Sequence, residues 1–128
     1  MRLYSLAAIF LLFASPSSAQ QDTTPSDKTI RTTVEKRIHD ICVQENGDRF
    51  LCGCIQAETR EKMPVSDYHF ILEAIYHTEN LDMDSLKKTL DKYAVDQARF
   101  TVLLEKLTAI ENAAEERCET ISEQVSQP

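Results

Sequence analysis

The chain has 128 residues, two glycines, four cysteines and a formal net charge of −7. This length suits one small domain. An acidic balance, 21 Asp and Glu against 14 Lys and Arg, argues against nucleic acid and anionic membrane surfaces as partners. It is compatible with a basic protein partner, although an acidic surface also serves plain solubility.

Residues 1–19 have the format of an export signal. Arg2 opens it, Leu3 to Ala14 form an apolar run, and Ser17-Ser18-Ala19 supplies a small-residue cleavage site. The run is too short to cross a bilayer as a helix, which takes about 20 residues. The first cysteine is Cys42, so no lipid-bearing cysteine follows the cleavage site. The expected mature chain starts at Gln20, in the bacterial periplasm or otherwise secreted; the absence of an Asn-x-Ser/Thr acceptor favours the periplasm. Residues 20–30 are polar without apolar period and read as a flexible tail, leaving one helical domain over 31–125.

The first helix is predicted from a Thr32-x-x-Glu35 capping box, with Val34, Ile38, Ile41 and Cys42 at helical spacing, to a close at Asn46-Gly47. A second runs from about Asp48 to Lys62, with Phe50, Leu51, Cys54, Ile55 and Ala57 on its apolar side; Pro64 ends it. Three further starts repeat one pattern, a cap flanked by apolar residues at staple spacing. Val65-Ser66…Phe70 opens the third helix, Leu81-Asp82…Leu86 the fourth and Val95-Asp96…Phe100 the fifth. The fifth carries an apolar stripe of Phe100, Leu103, Leu107, Ile110, Ala114 and Ile121. Continued to about Ser122 it would be roughly 39 Å long. No strand-like alternation occurs. The fold class is therefore all-α, a small disulfide-stapled bundle of five helices with a long C-terminal helix.

An even count of cysteines in a small exported domain implies two disulfides. Cys52 and Cys54 are the informative pair, because helix positions i and i+2 point about 200° apart. Cys42 and Cys52 are equidistant from Gly47, the centre of the first hairpin, so they meet when the two helices pack antiparallel. Cys54 is then left to reach Cys118 on the fifth helix, a bond worth roughly 4 kcal/mol in loop entropy. A redox alternative uses Cys52-Gly53-Cys54 itself, with Arg49 and the helix start lowering a thiol pKa. The thioredoxin-like strand pattern and Cys-x-x-Cys are both missing. A metal alternative at His39, Cys42, Cys52 and Cys54 lacks the second ligand pair that zinc sites show. No metal and no cofactor are expected.

Two charged patterns remain. His69, Glu73 and His77 lie at i, i+4, i+8 on the third helix, a possible pH-sensitive stripe whose simpler reading is a solvated face. Glu111, Glu115, Glu116, Glu119 and Glu123 make the end of the fifth helix acidic and form a possible partner-binding strip. No nucleophile elbow, phosphate loop or hydrolase signature appears.

The format, an export signal and about a hundred acidic helical residues with two disulfides, is similar to that of small exported proteins that act by binding. Immunity proteins, enzyme inhibitors and chaperones share it. The leading expectation is a non-catalytic exported protein that binds a protein partner. The alternatives are thiol–disulfide exchange at Cys52 and Cys54, and carriage of a small apolar ligand within the bundle.

Overall fold

The computed structural model describes residues 25–126, which form five α-helices and, among the described residues, no strand. They are α1 (Asp27–Asn46), α2 (Arg49–Lys62), α3 (Val65–Glu79), α4 (Met83–Lys92) and α5 (Gln97–Ser126). Residues 1–19, expected to be an export signal, and residues 20–24 lie outside the described residues.

Helix α1 begins before the Thr32 capping box. Ser26 is its cap, with the Ser26 Oγ accepting from the Thr29 amide at 3.2 Å. Residues 27–30, expected in the tail, are helical because they are held from outside: Ile30 is buried and Asp27 pairs with Lys92 at 2.8 Å. Thr32 and Thr33 instead donate to the carbonyls of Lys28 and Thr29, inside the helix. Its far end is the one the sequence indicates. Gly47 takes a left-handed φ of 71° and donates to the Val43 carbonyl at 2.7 Å.

Asp48 then caps α2 by accepting from the Leu51 amide at 3.0 Å. Leu51, Cys52, Thr59 and Met63 turn inward. Phe50, expected on the apolar side, is 49% exposed, since in this first turn only Leu51 and Cys52 face the bundle.

The three staple-like starts behave differently. Asp82 accepts from the Ser85 amide at 3.0 Å and Asp96 from the Arg99 amide at 2.7 Å, so both cap as expected. Ser66 does not. Helix α3 already starts at Val65, behind Pro64, whose ring-fixed φ of −54° aligns the chain without a side-chain cap. Val65 and Leu81 are exposed, so neither forms a hydrophobic staple, whereas Val95 is buried.

Helix α5, at 30 residues, extends past the expected end near Ser122 and is about 45 Å long. It packs mainly on α2, while α1 and α4 both pack on α3. The core gathers Val34, Met63, Phe70, Leu72, Leu103 and Leu107. At its centre Phe70 meets Tyr93 and Phe100 edge-to-face, with ring centroids 5.7 and 6.2 Å away. Arg99 pairs with Asp67 at 3.1 Å and ties the start of α5 to that of α3.

Candidate functional site

The cysteines form Cys42–Cys52 and Cys54–Cys118, each with Cα atoms 5.8 Å apart. The first is the pair that the hairpin register favours, and the second is the pair then left over. Cys42, Cys52 and Cys118 are buried, and Cys52-Gly53-Cys54 lies inside the uninterrupted α2 without a bond between its own cysteines. A Cβ built on Gly53 would approach only the His39 Nε2, at 4.0 Å. Among the described residues no group of three or more His, Cys, Asp or Glu is placed to hold a metal ion.

The His69, Glu73 and His77 stripe does not form the solvated face that was the simpler expectation. Glu73 is only 2% exposed and joins three helices. It accepts from the Tyr93 hydroxyl at 2.5 Å, from Lys92 at 3.0 Å and from Arg31 at 3.2 Å. Lys92 also reaches Asp27 and lies 4.8 Å from the centre of the Tyr93 ring. The Asp27 hydrogen bond, followed by that to Glu73, raises the Lys92 pKa; burial, with the bond to Glu73, raises that of the Tyr93 phenol. A carboxylate this buried is tolerable because two cations and a hydroxyl satisfy it. His69 and His77 are part-buried on the same helix, and the His77 Nδ1 has no hydrogen-bond partner among the described residues.

A second bridging carboxylate, Glu35, accepts from Arg60 at 2.5 Å and from the Tyr68 hydroxyl at 3.0 Å, linking α1, α2 and α3. Burial, reinforced by Glu35, pushes the Tyr68 phenol up to about 12. Both clusters lock helices together.

On α5 the acidic residues do not share one environment. Glu116, Glu119 and Glu123 are exposed, while Glu111 and Glu115 are part-buried. Burial, with repulsion from Glu115, pushes the Glu111 carboxyl up to about 7. Arg117, the base in this stretch, turns to Glu58 of α2 at 3.6 Å.

The feature that sequence reasoning missed is an apolar cleft of about 720 Å³ between α3, α4 and the start of α5. Its walls are Ile71 and Ile75, Leu86 and Leu90, and Phe100 and Leu104; Lys87, Asp91 and Asp96 sit among them as the charged groups. Its origin is topological. Helix α4, only 10 residues long, rests on α3, whereas α5 leans on α2, so a wedge opens between them. Helix α4 buries only Thr89, leaving Leu86 and Leu90 partly covered, and Phe100 is 38% exposed. The signal was present in the Leu86 and Leu90 spacing, which gives α4 an apolar face without saying that nothing closes over it. Compared with known proteins, the chain matches no known family, no curated protein and no solved structure.

Proposed function

We propose that this is an exported, non-catalytic binding protein that holds an apolar segment of another protein in the cleft between α3, α4 and α5. The observation that carries the reading is the cleft itself, three helices presenting aliphatic and aromatic side chains to solvent on an otherwise stapled bundle. The volume is within the usual range for ligand sites, but such sites bury most of a small molecule. This one is only half enclosed, with Phe100 more than a third exposed, and suits an apolar polypeptide face better. Two disulfides fit an oxidising compartment and hence export. The titratable cluster at Glu73 supports a packing role, since its carboxylate is shut away from solvent and turned to its own cations.

The test is to titrate a panel of fluorescently labelled amphipathic helical peptides into the oxidised protein and into Thr78→Trp. Thr78 lines the cleft and is part-buried, so the indole fills the space with little disturbance of the core. Binding of at least one peptide, weakened about tenfold or more by the substitution, is expected. Absence of binding by every peptide, or equal binding by the variant with its helical signal intact, would refute the proposal.

A further inference from the structure

A second groove, of about 490 Å³, runs between α2 and α5. Ala109, Ala113 and Ile110 line it from α5, and Lys62 of α2 and Lys106 of α5 converge on it. Its charge runs against that of the chain. Glu58 is the one acid among its described lining residues, and Arg117 already engages it at 3.6 Å. Lys62 and Lys106 are exposed, and neither side chain forms an ion pair among the described residues. Two uncommitted cations therefore face one groove of a chain whose formal net charge is −7.

The groove also has an apolar end. Val102 lies one turn before Lys106, and Val65 three residues after Lys62; they are 50% and 67% exposed. The Arg99–Asp67 pair holds the starts of α5 and α3 together at this end. A lone exposed valine is ordinary, but two at the end of a groove with uncommitted charges mark an interaction surface. Both walls are helices, which satisfy their own backbone groups, so no sheet edge is offered for strand addition. Ala109 and Ala113 are exposed and short, so a second helix can approach to the near end of the usual range of about 8–10 Å between axes. A long polyanion is repelled by the acidic balance of the whole chain, whereas a short acidic helix brings only the charges that the two lysines meet.

We infer that this groove docks an acidic amphipathic helix of a partner protein, on a surface separate from the cleft. The helix lies along α5 from Val102 to Arg117, a distance of about 22 Å that about 15 residues span. Its small and apolar side chains meet Val102, Ala109 and Ala113, and its carboxylates meet Lys62 and Lys106. The apolar contacts supply most of the affinity, and the charges fix its register and speed its arrival.

Three labelled peptides of this length test it: an amphipathic helix with glutamates flanking an alanine and leucine face, the same helix with glutamines in their place, and a scramble of the first. Titrations use the oxidised protein, Lys62→Gln/Lys106→Gln, Ala113→Trp and Thr78→Trp, each checked for its helical signal and both disulfides. Ala113 is exposed, so an indole there blocks the groove while the core keeps its packing. The glutamate peptide should bind about fivefold or more tighter than the glutamine peptide at low ionic strength, the effect of two exposed ion pairs. That advantage should disappear in Lys62→Gln/Lys106→Gln and in about 0.5 M salt. Ala113→Trp should weaken both ordered peptides about tenfold or more, and Thr78→Trp should leave them unchanged. Equal affinity of the glutamate and glutamine peptides, or of the scramble and the glutamate peptide, overturns the inference. So does failure of every peptide to bind, or binding indifferent to Ala113→Trp. Binding weakened by Thr78→Trp instead places the peptide in the cleft, which overturns the groove inference and leaves the cleft reading standing.

Discussion

Replacing Gly53 by alanine separates two explanations of the Cys52-Gly53-Cys54 motif. If glycine is there to let the turn unwind or to admit a neighbour, a methyl group must destabilise the fold. The structure indicates otherwise. Gly53 sits within the continuous α2, and the new Cβ would meet only the His39 Nε2 at 4.0 Å, an ordinary contact. The remaining difference is backbone entropy, which disfavours glycine in a helix interior by about 1 kcal/mol relative to alanine. Gly53→Ala should therefore stabilise the protein by about that amount. For a domain of this size that is a rise in Tm of about 4–8 °C. The assay is thermal unfolding followed by far-ultraviolet circular dichroism, on oxidised samples whose thiol content is checked by alkylation under denaturing conditions. An unchanged or lowered Tm with both disulfides intact would show that α2 is not regular at this turn, or that something approaches Gly53 closely.

Removing the long-range staple with Cys54→Ser/Cys118→Ser, which frees a span of 64 residues, should lower stability by about 4 kcal/mol in urea titration. A loss below about 1 kcal/mol would mean that the unfolded chain keeps residual structure without the bond, so that the bond removes little of its entropy. Glu73→Gln should cost about 2–4 kcal/mol, because Arg31 and Lys92 lose the buried carboxylate that neutralises them. Asp27→Asn, at the exposed end of the same network, should cost at most about 0.5 kcal/mol, and equal losses for the two would contradict the burial argument. The Glu111 carboxyl, raised by burial from its ordinary 4.5 to about 7, favours the native state least when ionised. Its destabilising effect is absent below pH 4.5, grows as pH rises and is complete above about 7. Glu111→Gln should accordingly stabilise by about 2–3 kcal/mol at pH 8 and scarcely at pH 4, as measured by denaturant midpoints at the two pH values.

Much of the fold was legible because it is set by neighbours in the chain. Gly47, Asp48, Asp82 and Asp96 act through hydrogen bonds to residues three or four positions away, so a short stretch suffices to read them. Hairpin symmetry about Gly47 extends the same local reasoning to Cys42 and Cys52. Where local rules misled, a distant partner intervened. The Thr32 box is a sound start signal, but Ile30 is buried in the bundle and Lys92 holds Asp27, so the helix begins earlier. Ser66 follows the cap pattern, yet Pro64 already sets the chain direction and the helix takes Val65 in.

The sequence by itself determined an all-α chain and the approximate limits of most of its helices, and it favoured one pairing of its cysteines, because periodicity, capping and hairpin register are short-range. The tertiary structure alone decided the fate of Glu73 and the existence of the cleft. Glu73 meets Arg31 at a separation of 42 residues and Lys92 at 19, and only packing turns that charge inward instead of outward. The cleft depends on how far α4 and α5 stand apart on α3. No residue pattern within α4 or α5 encodes that separation; it follows from α5 being held against α2 by the Cys54–Cys118 bond and the packing around it.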